Sequence, residues 1–157
     1  MDASKSEANN VDKVGISPYP GPLPSLPPPL PGETVEITVH GDPPLKDYHF
    51  SIRNPRHPKY PSFLNLRYKA IEAMGGRGWY GGPIEIDFTL YAPMLNKALV
   101  GYLGGIFDTL DGSHGFTFTY LPVVYQDDCQ IVSSNSRYLQ CHETKYSLKI
   151  SFLGVEG

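Results

Sequence analysis

The stretch GGPIEIDFTLYAP, Gly81 to Pro93, decides the fold class. Ile84, Ile86, Phe88 and Leu90 alternate with Glu85, Asp87 and Thr89. That period of two is the signature of a strand with one apolar and one wet face. Gly-Gly-Pro before it and Ala-Pro after it mark its ends. A strand of this kind needs a covering layer on its apolar side, and the flanking sequence supplies two candidates.

Upstream, FLNLRYKAIEAM carries Phe63, Leu64, Tyr68, Ile71 and Met74 at close to helical spacing, with Ser62 as a candidate N-cap and GGRG as the stop. Downstream, MLNKALVGYLGGIFDTLDG puts Leu95, Leu99, Tyr102, Leu103, Ile106 and Leu110 on one helical stripe. Gly101, Gly104 and Gly105 interrupt it. Each costs about 1 kcal/mol relative to Ala, so their retention points to close packing against another element. Further strands are predicted at TVEITVHG, DYHFSIRN, FTFTYL, VVYQ, CQIVSS and YSLKISFL. Strands, helix, strand, helix and strands in that order predict an α+β domain, a mixed or mostly antiparallel sheet with two helices packed on it.

The chain has 157 residues, 40% of them hydrophobic, enough for one core. Its 16 prolines are concentrated near the N-terminus, where SPYPGPLPSLPPPLPGE favours extended polyproline II. Residues 1–33 therefore read as a disordered Pro-rich tail or stiff spacer, with a PxxP-type ligand for a partner protein as the sharper alternative. The folded domain is expected over 34–157. No run of about 18 apolar residues marks a membrane span, and the leader MDASKSEANNVDK lacks the apolar core of a signal peptide. An intracellular, cytoplasmic setting is the expectation, with Cys129 and Cys141 as free thiols.

A net charge of -3 is not the footprint of a nucleic-acid binder, but the charges are unevenly spread. Between Leu45 and Arg77 stand Lys46, Arg53, Arg56, Lys59, Arg67, Lys69 and Arg77 against Asp47 and Glu72. Between Ile84 and Asp128 stand six carboxylates against Lys97. Cations for phosphates and carboxylates for a metal are what a metal-dependent nuclease requires. Arg53, Arg56, Lys59, Arg67 and Lys69, interleaved with Tyr60, Phe63 and Tyr68, form the candidate DNA-binding segment. In VVYQDDCQIV the adjacent Asp127 and Asp128 repel each other unless a cation, hydrogen bonds or water compensates them. They are either an exposed turn or half of a metal site. Cys141, His142 and Glu143 have no partner motif that would make them zinc ligands.

Taken together, VEITVHGDPP, IEIDFTLYAP, FDTL and QDDCQIV resemble, in order, the motifs of the RusA-like Holliday-junction resolvases. The resemblance spans about Thr34 to Leu153 and implies a RusA-like fold, a homodimer, branched DNA as ligand and Mg²⁺ as cofactor. It assigns the third metal-binding carboxylate to Asp128, with Asp127 and Gln130 as its motif neighbours and Asp108 at the helix end. Counted back without gaps from Asp108, however, the family's two other aspartates fall on Ala98 and Val100, its Asn on Gly101 and its Lys on Gly104. One carboxylate alone cannot hold the metal or lower the pKa of an attacking water. The resemblance thus implies a DNA-binding relative with impaired or lost endonuclease activity. The alternatives are a rearranged site, drawing on Asp87, Asp108, Asp111, His114 and Asp127 around Asp128, or a protein-interaction module. Asp108 also reads as an ordinary helix-end residue, and Asp111-Gly112 as a turn.

Overall fold

A computed structural model describes residues 24–46, 51–111 and 122–154. Its elements are β1 (Thr34–His40), α1 (Tyr60–Met74), β2 (Ile84–Ala92), α2 (Leu99–Leu110), a 3-10 turn (Asp128–Gln130), β3 (Ile131–Gln140) and β4 (Lys145–Phe152). The four strands form one mixed sheet in the order β1-β4-β2-β3. β4 runs antiparallel to both β1 and β2, whereas β2 and β3 are parallel. A parallel pair cannot be closed by a tight hairpin, and α2 lies in the connection between the two strands. The domain is α+β with two helices on a mixed sheet, as the element order predicts.

The alternation read in β2 is the physical basis of the packing. Ile84, Ile86, Phe88 and Leu90 are all buried, and they meet Tyr146, Leu148, Ile150 and Phe152 of β4 and Val35, Ile37 and Val39 of β1 on the same side. Burying a side chain of this size contributes about 2 kcal/mol over leaving it in water. Leu66, Ala70 and Met74 of α1 and Ile106 and Leu110 of α2 complete the core. The opposite sheet face is polar. Glu36, Lys149, Asp87 and Asn135 stand in one cross-strand row there, and Asn135 Nδ2 donates to Asp87 Oδ1 at 2.9 Å.

Several local expectations change. Ser51 to Asn54, the described part of DYHFSIRN, is a turn and not a strand, closed by Asn54 N–H donating to Ser51 O at 3.0 Å. Ile52 is buried there because it packs on Phe63, not because a sheet alternates. α1 starts at Tyr60, so Ser62 is inside the first turn and caps nothing. Pro61 fits that first turn because its fixed φ and missing N–H cost nothing there. Gly75, at φ 63°, ends the helix in the left-handed region where a side chain is unfavourable. α2 starts at Leu99, leaving Met94 and Leu95 exposed in the preceding loop. VVYQ contributes one bridge, Tyr80 to Tyr125, and FTFTYL lies outside the described residues.

The boundary expected at 33/34 also moves. Leu26 N–H donates to Gly76 O at 2.9 Å, Gly78 N–H to Leu26 O at 2.9 Å, and Gly32 N–H to Phe152 O at 2.7 Å. The end of the Pro-rich segment is therefore laid on the domain, against the loop after α1 and the end of β4. Among the described residues, no helix is long and apolar enough to cross a membrane.

Candidate metal centre at the end of α2

The last four carbonyls of an α-helix lack intrahelical partners. In α2 all four have partners, one from the C-cap residue and three from elsewhere in the fold. Phe107 O accepts from Asp111 N–H at 3.2 Å, and Leu110 O from the N–H groups of Val123 and Val124 at 3.2 and 3.1 Å. Asp108 O accepts from Arg53 Nε and Nη2 at 3.0 and 2.6 Å, and Thr109 O from Arg67 Nη1 at 3.0 Å. Two guanidinium groups at a helix C-terminus also complement its dipole.

This arrangement corrects the DNA-binding assignment of Arg53 and Arg67. Arg53 is 6% exposed and Arg67 is fully buried, so both guanidinium groups serve the helix end and neither is open to a phosphate. A burial-blind reading of charge could not separate them from their neighbours. Arg56 and Lys69 are exposed, Lys59 is half-buried, and Lys69 faces Glu72 at 3.8 Å. His57 is buried, its Nδ1 accepting from Lys59 N–H at 2.9 Å.

Beyond the secured helix end, three carboxylates converge. Asp108 projects from the last turn of α2, Asp111 is the C-cap residue, and Asp128 opens the 3-10 turn. One oxygen from each lies within 4.8 Å of the others. Oxygens on opposite sides of Mg²⁺ stand about 4.2 Å apart and across Ca²⁺ about 4.8 Å, given their usual bond lengths. The separations are thus on the scale of a divalent cation's ligand shell.

The electrostatics explain what such an ion would relieve. Asp111 is fully buried. Burial, followed by its hydrogen bond with Asp128, pushes its carboxyl up to about 9, even though Arg53 pulls it down. Arg53 Nη2 donates to Asp111 Oδ1, and Lys46 Nζ lies 3.0 Å from Asp108 Oδ2. The Tyr125 hydroxyl lies 3.4 Å from Asp128 Oδ1 and 3.2 Å from Phe107 O, and burial holds it in its protonated form. Two cations and a phenol therefore crowd around three acids, and a proton is retained where a metal would substitute.

The two adjacent aspartates have different roles. Asp127 is the N-cap of the 3-10 turn, its Oδ1 accepting from Cys129 N–H at 3.0 Å. Gln130 completes the capping box, its Oε1 accepting from Asp127 N–H at 3.0 Å. Its Nε2 donates to Tyr80 O and Gly82 O at 2.9 and 2.8 Å, fixing the turn to the loop before β2. Only Asp128 of the pair joins the cluster.

Of the other candidates, Asp87 lies on the polar sheet face with Asn135, and His114 lies outside the described residues. Glu143 is 3.9 Å from His40 and 3.8 Å from Lys145, and Cys129 and Cys141 are free. Ala98 caps the far end of α2, ten residues and so about 15 Å along the axis from Asp108. Val100, in the first turn and 72% exposed, is eight residues and so about 12 Å along the axis from Asp108. Neither gap-free family position is therefore beside Asp128. The partners of Asp128 are Asp108 and Asp111, whose i,i+3 spacing sets them on one side of the helix end. That spacing was the available sequence signal for Asp111. No protein-family model and no curated protein sequence matches this chain.

Proposed function

We propose that this protein is a RusA-like, Mg²⁺-dependent endonuclease of branched DNA, with Asp108, Asp111 and Asp128 as a relocated ligand set. The observation that carries the reading is the convergence of these carboxylates within 4.8 Å. A divalent ion there would lower the pKa of a bound water and neutralise charge on the attacked phosphate. The chain's own residues prepare the position. Arg53 and Arg67 fix the helix end that presents Asp108 and Asp111, and Gln130 fixes the turn that presents Asp128. The turn Ser51–Asn54 carries Arg53 into this centre, and Arg56, exposed, and Lys59, half-buried, on the same loop are the cations this reading assigns to the DNA backbone. By the family resemblance, the active form is a homodimer.

Titration with Mn²⁺ and cleavage of a four-way junction in Mg²⁺ test the reading together. The wild-type chain is expected to bind one equivalent of Mn²⁺ per protomer and to cleave the junction. Asp128→Asn should lower cleavage by a factor of about 10² or more and weaken Mn²⁺ binding, as loss of a ligand carboxylate requires. Junction binding that falls with salt, without cleavage or metal uptake, would identify a DNA-binding relative that has lost its chemistry.

A further inference from the structure

We infer that Lys46 is the substrate-facing cation of this site: it holds Asp108 when the carboxylate cluster is empty and turns to the DNA phosphate when a divalent ion takes its place. The inference rests on the metal-dependent reading above and names a residue that reading leaves unassigned.

The position of Lys46 is built into the fold. After β1 the chain crosses α2 at Gly105, where a Cβ would stand 2.3 Å from Pro44 O, 2.6 Å from Pro44 C and 3.0 Å from Leu45 N. Backbone atoms cannot yield as a flexible side chain does, so only glycine permits this crossing. Leu45, 4% exposed, is anchored by it. Lys46 is the next residue, and its Cδ passes 3.9 Å from where a Cβ of Gly104 would be. Gly104 and Asp108 are one helical turn apart on the same face. The lysine stem therefore runs along α2 and delivers Nζ to Asp108 Oδ2 at 3.0 Å.

The two cations at the cluster differ in freedom. The Arg53 side chain is 8% exposed and is bonded to both Asp108 O and Asp111. Lys46 has a side chain 55% exposed and pairs with Asp108, itself 23% exposed. An exposed pair of this kind shifts an equilibrium by at most about fivefold, so a doubly charged ion can displace it. A released ammonium on a four-carbon stem stays within reach of the same centre and is a point charge suited to phosphate.

Lys46→Met and Lys46→Arg, compared with wild type and Asp128→Asn, separate the possibilities through Mn²⁺ calorimetry and junction binding and cleavage. Removing the ammonium should change the two ligands in opposite directions. Lys46→Met should bind Mn²⁺ up to about fivefold more tightly. The same variant should show a salt slope for junction binding reduced by about 1 and cleavage slowed by about 10²-fold. Lys46→Arg should retain most of the junction affinity. A variant Lys46→Met that loses Mn²⁺ affinity together with DNA affinity would overturn the inference in favour of a packing role. So would junction binding and cleavage unchanged in Lys46→Met while the wild-type chain binds Mn²⁺. A wild-type chain that binds no Mn²⁺ overturns both this inference and the metal-dependent reading.

Discussion

At the scale of single residues, the adjacent pair Asp127 and Asp128 shows how two identical side chains take different work from their surroundings. Asp127 satisfies an N–H group at the start of a turn, whereas Asp128 faces two other acids. Asp127→Ala should therefore cost about 1 kcal/mol in urea unfolding, the usual loss for an N-cap, and leave Mn²⁺ binding intact. Asp111 carries a pH dependence. Its folded-state value of about 9 lies above its ordinary 3.8, so the folded state holds the proton more tightly than the unfolded state. Its contribution is complete below about pH 4 and is lost as the pH rises toward about 9. In EDTA, Asp111 should make stability fall with rising pH over that window, by up to about 1.4 kcal/mol per pH unit. Asp111→Asn should flatten the fall, as measured by Tm between pH 5 and pH 8.

At the scale of elements, α2 is the decisive piece, because the same helix lines the core and ends in the candidate site. Its stripe through Tyr102, Leu103, Ile106 and Leu110 was legible from spacing, and the glycines were legible as a close-packed face. Which element approached that face was not legible, since the crossing at Pro44 is remote in sequence. Gly105→Ala should destabilise the protein by about 1–3 kcal/mol, as overpacking against backbone does, with a matching fall in Tm. The buried arginines provide a second check. Arg67→Ala leaves Thr109 O without its donor and a cavity beside α2, and should cost about 3 kcal/mol. Arg56→Ala, at an exposed position, should leave Tm within about 1 °C and weaken junction binding instead.

At the scale of the whole molecule, alternation in β1, β2 and β4 and the two apolar helical stripes determined an α+β domain, because a period of two or of 3.6 specifies which face must leave water. The same sequence showed that Asp108, Asp111 and Asp128 were acidic and that Arg53 and Arg67 were basic. It did not show that the three acids meet or that both arginines are buried. Those facts depend on the strand order β1-β4-β2-β3 and on where α2 ends against the Ser51–Asn54 turn. Local pattern governs burial through each element's own period, whereas the meeting of charges requires contacts between segments far apart in the chain. Tertiary structure alone decided that Asp128 has neighbours and that Lys46 reaches the site, because only packing brings those segments together.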